Sequence, residues 1–161
     1  MSSLEALLKL SDITSCAFDR QLLDCTYGWL NDPEVLLLID ANPVDRNSQL
    51  KWFDTLSSRS DFIIRGIRYK GVPIGVFGLK NVLAGKGEYW GYIGAKQHWG
   101  KGIGSWMMNK AIELAEEHQV QSLYLKVLVT NERAVRLYKK SGFHLKEFLD
   151  EGKTLLMEHN G

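Results

Sequence analysis

This sequence predicts an α/β (α+β) fold: a mixed, mostly antiparallel central sheet of six to seven strands flanked by about four helices. Three observations predict it. Two runs rich in β-branched and aromatic residues, 62–69 and 72–79, meet at Lys70-Gly71, the mark of a tight hairpin. Apolar residues at helical spacing over 103–118 and a helix-like run over 131–140 alternate with strand-like runs at 88–94, 122–129 and 143–149. Helices must therefore cross over from strand to strand. The chain has 161 residues, 45% hydrophobic and 24% charged, which suits one domain with a real core over 1–161.

The elements follow in order. The first ten residues, ending Leu7-Leu8-Lys9-Leu10, carry a weak strand signal. Residues 19–31 read as a helix with Leu22, Leu23, Thr26 and Leu30 on one face. The chain turns at Asn31-Asp32-Pro33, because proline cannot continue a helix interior. A second helix starts near Asn47 and Ser48 as caps and runs through Leu50, Trp52, Phe53 and Leu56. After the hairpin comes a loose Ala84-Gly85-Lys86-Gly87, then the strand over 88–94. The next helix places Ile103, Met107, Ala111, Leu114 and Ala115 at helical spacing. Residues 122–129 form the best strand of the chain. The helix over 131–140 ends at Ser141-Gly142, and strands at 143–149 and 154–158 flank a turn at Asp150-Glu151-Gly152.

Composition excludes several function classes. The net charge is +1 and the charges are scattered, so no nucleic-acid surface or polybasic membrane patch is expected. No apolar run approaches the ~20 residues that span a bilayer. Cys16 and Cys25 show neither metal spacing nor a disulfide framework, and the start Met-Ser-Ser-Leu-Glu lacks a basic region followed by an apolar run. A cytoplasmic location is expected. His98, His118, His144 and His159 form no metal pattern.

The chemistry concentrates at Gln97-His98-Trp99-Gly100-Lys101-Gly102-Ile103-Gly104-Ser105, between an aromatic strand and a long amphipathic helix. Glycines that open a helix leave backbone N–H groups converging on one spot, where the helix dipole favours a phosphate. The spacing is not that of a Walker loop, which needs Gly, four residues and Gly-Lys-Ser/Thr. A dinucleotide fingerprint fails too, since its last glycine would be Ser105 and the loop follows antiparallel strands late in the chain. Asn131, Ala134 and Tyr138 then share one helical face. An Asn there can cap the helix and bond a ligand amide, an Ala leaves room for a ligand, and a Tyr hydroxyl can donate a proton. A plain cap with two core residues is the competing reading.

Gln97-x-x-Gly100-x-Gly102 resembles the Gln/Arg-x-x-Gly-x-Gly/Ala signature of the GNAT superfamily of N-acetyltransferases. The run from Asn131 through Ala134 and Tyr138 to Gly142-Phe143 resembles that superfamily's Asn-x-x-Ala-x-x-x-Tyr-x-x-x-Gly-Phe. Trp99 departs from the pattern, standing where Arg or Gln is common. The resemblance covers residues 61–149 and implies the GNAT fold and direct acetyl transfer from acetyl-coenzyme A to a primary amine, without a metal. It implies that Trp99, Gly100, Lys101, Gly102, Ile103, Gly104 and Ser105 wrap the pyrophosphate. Main-chain groups of Tyr92, Ile93 and Gly94 would pair with the pantetheine arm like an extra strand, with Ile93 N–H facing the thioester oxygen. Tyr138 would protonate the leaving thiolate. The amine's proton would go to Glu88, the acid on the strand entering the site, or to water without a dedicated base.

The acceptor signals are fainter. Trp29-Leu30-Asn31-Asp32-Pro33-Glu34-Val35 resembles a segment of the RimJ/RimL-like branch. Residues 49–53 and 90–94 are similar to its members that acetylate nucleotide-linked amino sugars. A peptide N-terminus is the alternative acceptor, and a non-catalytic acyl-CoA sensor the rival class. Trp29, Trp52 and Trp90 belong either to the acceptor pocket or to the core. The protein is expected to be a monomer, or a homodimer paired through an exposed last strand.

Overall fold

The computed structural model describes residues 9–159. The weak strand read in the first ten residues lies almost wholly outside them. The first strand, β1, is Ile13–Ala17. Helices α1 (Arg20–Trp29), α2 (Pro33–Ile39) and α3 (Arg46–Thr55) follow, then strands β2 (Ile63–Tyr69), β3 (Val72–Leu83) and β4 (Lys86–Ile93). Helix α4 (Ile103–Glu117), β5 (Ser122–Leu128), α5 (Glu132–Lys140), β6 (Phe143–Leu149) and β7 (Thr154–His159) complete the described chain.

Local chemistry explains the departures from the sequence reading. Pro33 does end one helical run, but it also starts α2. At the first helical position its missing N–H costs nothing, and Asp32 caps Glu34 N at 2.9 Å. The cap of α3 is Asp45, whose Oδ2 accepts from Ser48 N at 3.0 Å, rather than Asn47 or Ser48. The stretch 84–87 is not loose: Ala84 and Gly85, both left-handed, make a tight turn that joins a longer β3 directly to β4.

The seven strands form one sheet in the order β1-β2-β3-β4-β5-β7-β6, antiparallel except where β4 meets β5. Helix α4 makes that parallel crossover. The last strand is interior: β7 inserts between β5 and β6, which leaves β6 at one edge of the sheet, opposite β1. A register shift between Leu145 and Glu147 puts a bulge in β6.

Each face of the sheet carries a core. On one, Ile103, Met107, Met108, Ala111, Leu114 and Ala115 of α4 pack against Ile67, Phe77, Leu125 and Met157, with Ala134, Val135 and Tyr138 of α5 alongside. On the other, Leu22 of α1, Val35 of α2 and Trp52 of α3 cover Ile64, Val76 and Tyr92. A fully buried Leu, Met or Phe contributes about 1.5–3 kcal/mol each, so these faces fix where the strands run.

Candidate active site

The site begins where the sheet opens. Strands β4 and β5 pair from Lys86↔Ser122 to Glu88↔Tyr124 and no further, although β4 runs on to Ile93 and β5 to Leu128. The gap is a cleft of about 680 Å³, lined among others by Tyr89, Gly91, Met107, Leu125, Asn131 and Tyr138.

The direction of the β4 backbone follows from one bond. Gly94 N donates to Ile74 O at 2.9 Å, which extends the β3–β4 register. Antiparallel ladders alternate, so the even residues through Glu88 turn their backbone groups toward β3. Tyr89, Gly91 and Ile93 turn theirs toward the cleft. Of the three residues expected to meet a pantetheine arm, Ile93 alone therefore directs its N–H there, while Tyr92 and Gly94 spend theirs on β3. The carbonyl of Ile93 is held by Trp99 Nε1 at 2.6 Å. The residue that departs from the family pattern thus ties the glycine loop to the end of the strand.

The three glycines of the loop serve different ends. Gly100 and Gly102 lie in the left-handed region, at φ 73° and 83°, where side chains are strained. Gly104 is helical, and a Cβ there would come within 2.6 Å of Leu137 Cδ2, so it lets α4 approach α5. Gly102 is the N-cap of α4 and offers no side-chain cap. The N–H groups of Ile103, Gly104 and Ser105 have no partner inside the helix, and the dipole of a 15-residue helix adds positive potential. Arg133 stands over the loop, its Nη1 3.2 Å from where a Cβ on Gly100 would lie. His98 packs on Tyr69, with ring centroids 5.2 Å apart, and burial together with the charge of Lys101 holds its pKa below the ordinary value. These donors and cations fit a pyrophosphate.

Asn131 caps α5, its Oδ1 accepting from Ala134 N at 3.3 Å, and it also lines the cleft. Tyr138 reaches the cleft from the same helix with its ring against Tyr89 and Phe143. Burial pushes its hydroxyl up to about 12, so it keeps its proton at neutral pH.

Glu88 approaches from the other side. It shares the sheet face of Trp90 and Tyr92 and is buried, 5% exposed. Its Oε1 accepts from Asn81 Nδ2 at 3.1 Å, and Lys80 Nζ lies 3.8 Å from Oε2. Neither partner is signalled by the sequence: Lys80 faces Glu88 through the β3–β4 register, and Asn81 reaches it from a bulge in β3.

Glu88 itself lines the first cleft, and on that face of the sheet lies a second cavity of about 660 Å³ walled by Phe18, Trp52, Phe62, Trp90 and Tyr92. Phe62 stacks on Trp90 at 5.4 Å, and Trp52 meets Phe62 edge-on at 5.7 Å. Gln49 fixes the floor, donating to Thr26 Oγ1 at 2.9 Å and so tying α3 to α1. Lys80, Trp90 and Tyr92 border both cavities. Trp52 and Trp90 therefore line a pocket, whereas Trp29 is structural. It lies edge-on to Tyr92 at 6.4 Å and fills the space a Cβ on Gly94 would need, 2.0 Å from Trp29 Cδ2. Gly94→Ala is expected to destabilise the fold by about 1–3 kcal/mol, read as a lower denaturation midpoint. An unchanged midpoint would show that Trp29 moves aside freely.

Among the described residues no group of His, Cys, Asp or Glu could hold a metal, and no helix is long and apolar enough to cross a membrane.

A splayed parallel pair, a glycine loop opening a helix and a capped helix bearing Tyr138 meet at this one cleft. The acetyltransferase (GNAT) family model matches residues 21–143, and the chain belongs to that family. It is an acetyl-CoA-dependent N-acetyltransferase of the GNAT type. Solved structures share the fold. A spermidine N-acetyltransferase from Vibrio cholerae, in complex with CoA and spermine, superposes with a TM-score of 0.82 at 22% identity, covering 92% of this chain and 95% of that one. The N-acetyltransferase PseH of Campylobacter jejuni, in complex with acetyl coenzyme A, gives 0.69 at 20% identity, covering 91% and 96%.

Proposed function

We propose that the acceptor is a primary amine on a nucleotide-linked amino sugar, held in the aromatic cavity and acetylated by direct transfer. The carrying observation is the chemistry of that cavity. Flat aromatic walls suit the apolar face of a sugar ring, with polar contacts confined to a few points. A polyamine needs several carboxylates to replace its lost hydration. Asp45 is the one carboxylate lining the cavity among the described residues, and it already caps α3. Lys80 at the border adds a positive charge, which suits a diphosphate and opposes a polycation. Trp90 Nε1 and the Tyr92 hydroxyl, both buried in the cavity wall, have no partner among the described residues. An oxygen-rich ligand is the kind that supplies one.

Acetyl-CoA supplies an acetyl group on a sulfur that leaves readily. Glu88 takes the proton of the acceptor ammonium, freeing the lone pair that attacks the thioester carbon. Ile93 N–H faces the oxygen where negative charge develops. Tyr138 gives its proton to the departing sulfur as the C–S bond breaks, the second proton shed by the new amide nitrogen restores the tyrosine, and Glu88 releases the first to solvent.

The test is thiol release from acetyl-CoA with UDP-glucosamine, spermidine and a short peptide as rival acceptors. The sugar nucleotide is expected to give the highest kcat/KM. Preference for either of the others, or turnover with none, overturns the acceptor assignment.

A further inference from the structure

We infer that Asn81 is a positioning residue for transfer: it holds the Glu88 carboxylate in place for the amine. The inference rests on the reading of Glu88 as the proton acceptor.

The geometry around Asn81 is irregular. Lys80 is registered directly across from Glu88, and the next pair is Leu83↔Lys86, so β3 carries one extra residue there. In a regular strand consecutive side chains point to opposite faces, so Lys80 and Asn81 could not serve one carboxylate. The bulge breaks that alternation. Asn81 enters the left-handed region at φ 53°, which Asn tolerates better than most residues, and its amide reaches Glu88 Oε1 at 3.1 Å.

The location adds weight. Glu88 pairs with Tyr124 in the last rung before β4 and β5 part, so this polar knot sits at the apex of the cleft. Burial raises the Tyr124 hydroxyl above its usual pKa, the Glu88 charge adds to that, and a hydrogen bond from Asn81 opposes it. Asn81 thus touches both sides of the seam. Lys80 and Tyr124 are the titratable groups beside Glu88 on β3 and β5. The carboxylate is almost fully buried, and Lys80 is loosely placed at 3.8 Å with its side chain 43% exposed. A swinging carboxylate would lose the geometry proton transfer needs, and the amide removes that freedom.

The rival account is that Asn81 merely tolerates the left-handed backbone. Asn81→Gly separates the two, since glycine adopts that conformation at no cost and removes only the amide. The assay uses whichever of UDP-glucosamine, spermidine or the peptide turns over fastest. Asn81→Gly is expected to lower kcat about tenfold to a hundredfold, as loss of a hydrogen bond to a charged group does. Acetyl-CoA affinity should stay unchanged. The defect should shrink as pH rises toward the acceptor amine's own pKa, because an amine already neutral needs no base. Asn81→Asp, which keeps the shape but faces Glu88 with a like charge, should lose at least as much. Wild-type kcat in Asn81→Gly, or a loss that pH does not relieve, would overturn the proposal. Glu88→Gln run alongside separates the failures: full activity there removes Glu88 as base, and this inference with it.

Discussion

Replacing Gly102 with glutamate is expected to abolish acetyl-CoA binding while leaving the protein folded. No heavy atom lies within 4 Å of a Cβ built on Gly102, so the side chain has space. The backbone there is left-handed, and a non-glycine residue in that conformation costs about 1–2 kcal/mol, which a domain of this size survives. The charge is what matters. Gly102 is the N-cap of α4, beside the N–H groups that would face a pyrophosphate. Two like charges about 4 Å apart at an effective dielectric of about 20 repel by about 4 kcal/mol, close to a thousandfold in affinity. Gly102→Ala bears the same backbone strain without the charge and should bind nearly normally. Isothermal titration with CoA reads both variants, and normal binding by Gly102→Glu would remove the loop from the cofactor site.

The second large effect is expected at Tyr138. Tyr138→Phe keeps the ring that packs against Tyr89 and Phe143, so the fold and the cleft should persist. It removes the proton that would meet the departing sulfur. General acid catalysis typically supplies about a hundredfold to ten-thousandfold, so kcat should fall by at least about a hundredfold. Acetyl-CoA affinity should change far less. The hydroxyl, pushed up to about 12 by burial, stays protonated well past neutral pH. Removing it should therefore leave the wild-type pH profile of kcat unchanged in shape between mildly acidic and mildly alkaline conditions. Unaltered kcat with a saturating amine would take Tyr138 out of the acid role.

Much of this architecture is written in local patterns. The Lys70-Gly71 hairpin, the α4 stripe and the capped helix at Asn131 all come from interactions within a few residues, which a linear reading captures. What it misses depends on pairing. Whether Ile93 or Tyr92 turns its N–H toward the cleft is decided by register with β3, and side-chain alternation alone leaves the two equivalent. Glu88 reads as the acid on the strand entering the site, but its partners do not show in the sequence: Lys80 lies across from it by register, and Asn81 reaches it from a bulge that no turn residue announces. Trp99 reads as a departure from the family pattern, yet its indole N–H reaches back to Ile93 O. The pocket walls come from α1, α3, β2, β3, β4 and the residues just before α1 and β2, so Phe62 and Trp90 meet only when the sheet has formed. Pro33 shows the remaining kind of ambiguity: the same residue can stop one helix and start the next, and Asp32 before it decides.

The bulge in β6 has a consequence for what this margin of the sheet can pair with. An exposed edge strand with Leu145 and Phe148 outward is the sort of surface on which chains stack and precipitate. Here Lys146 is the extra residue, and it is held by Glu158 at 3.0 Å. A stray strand could lie flush along Phe143 to Leu145 or along Glu147 to Leu149, but not across the kink between them. Each stretch is too short to seed a fibril. The irregularity at the sheet margin thus limits how long a run of β6 a second strand can follow.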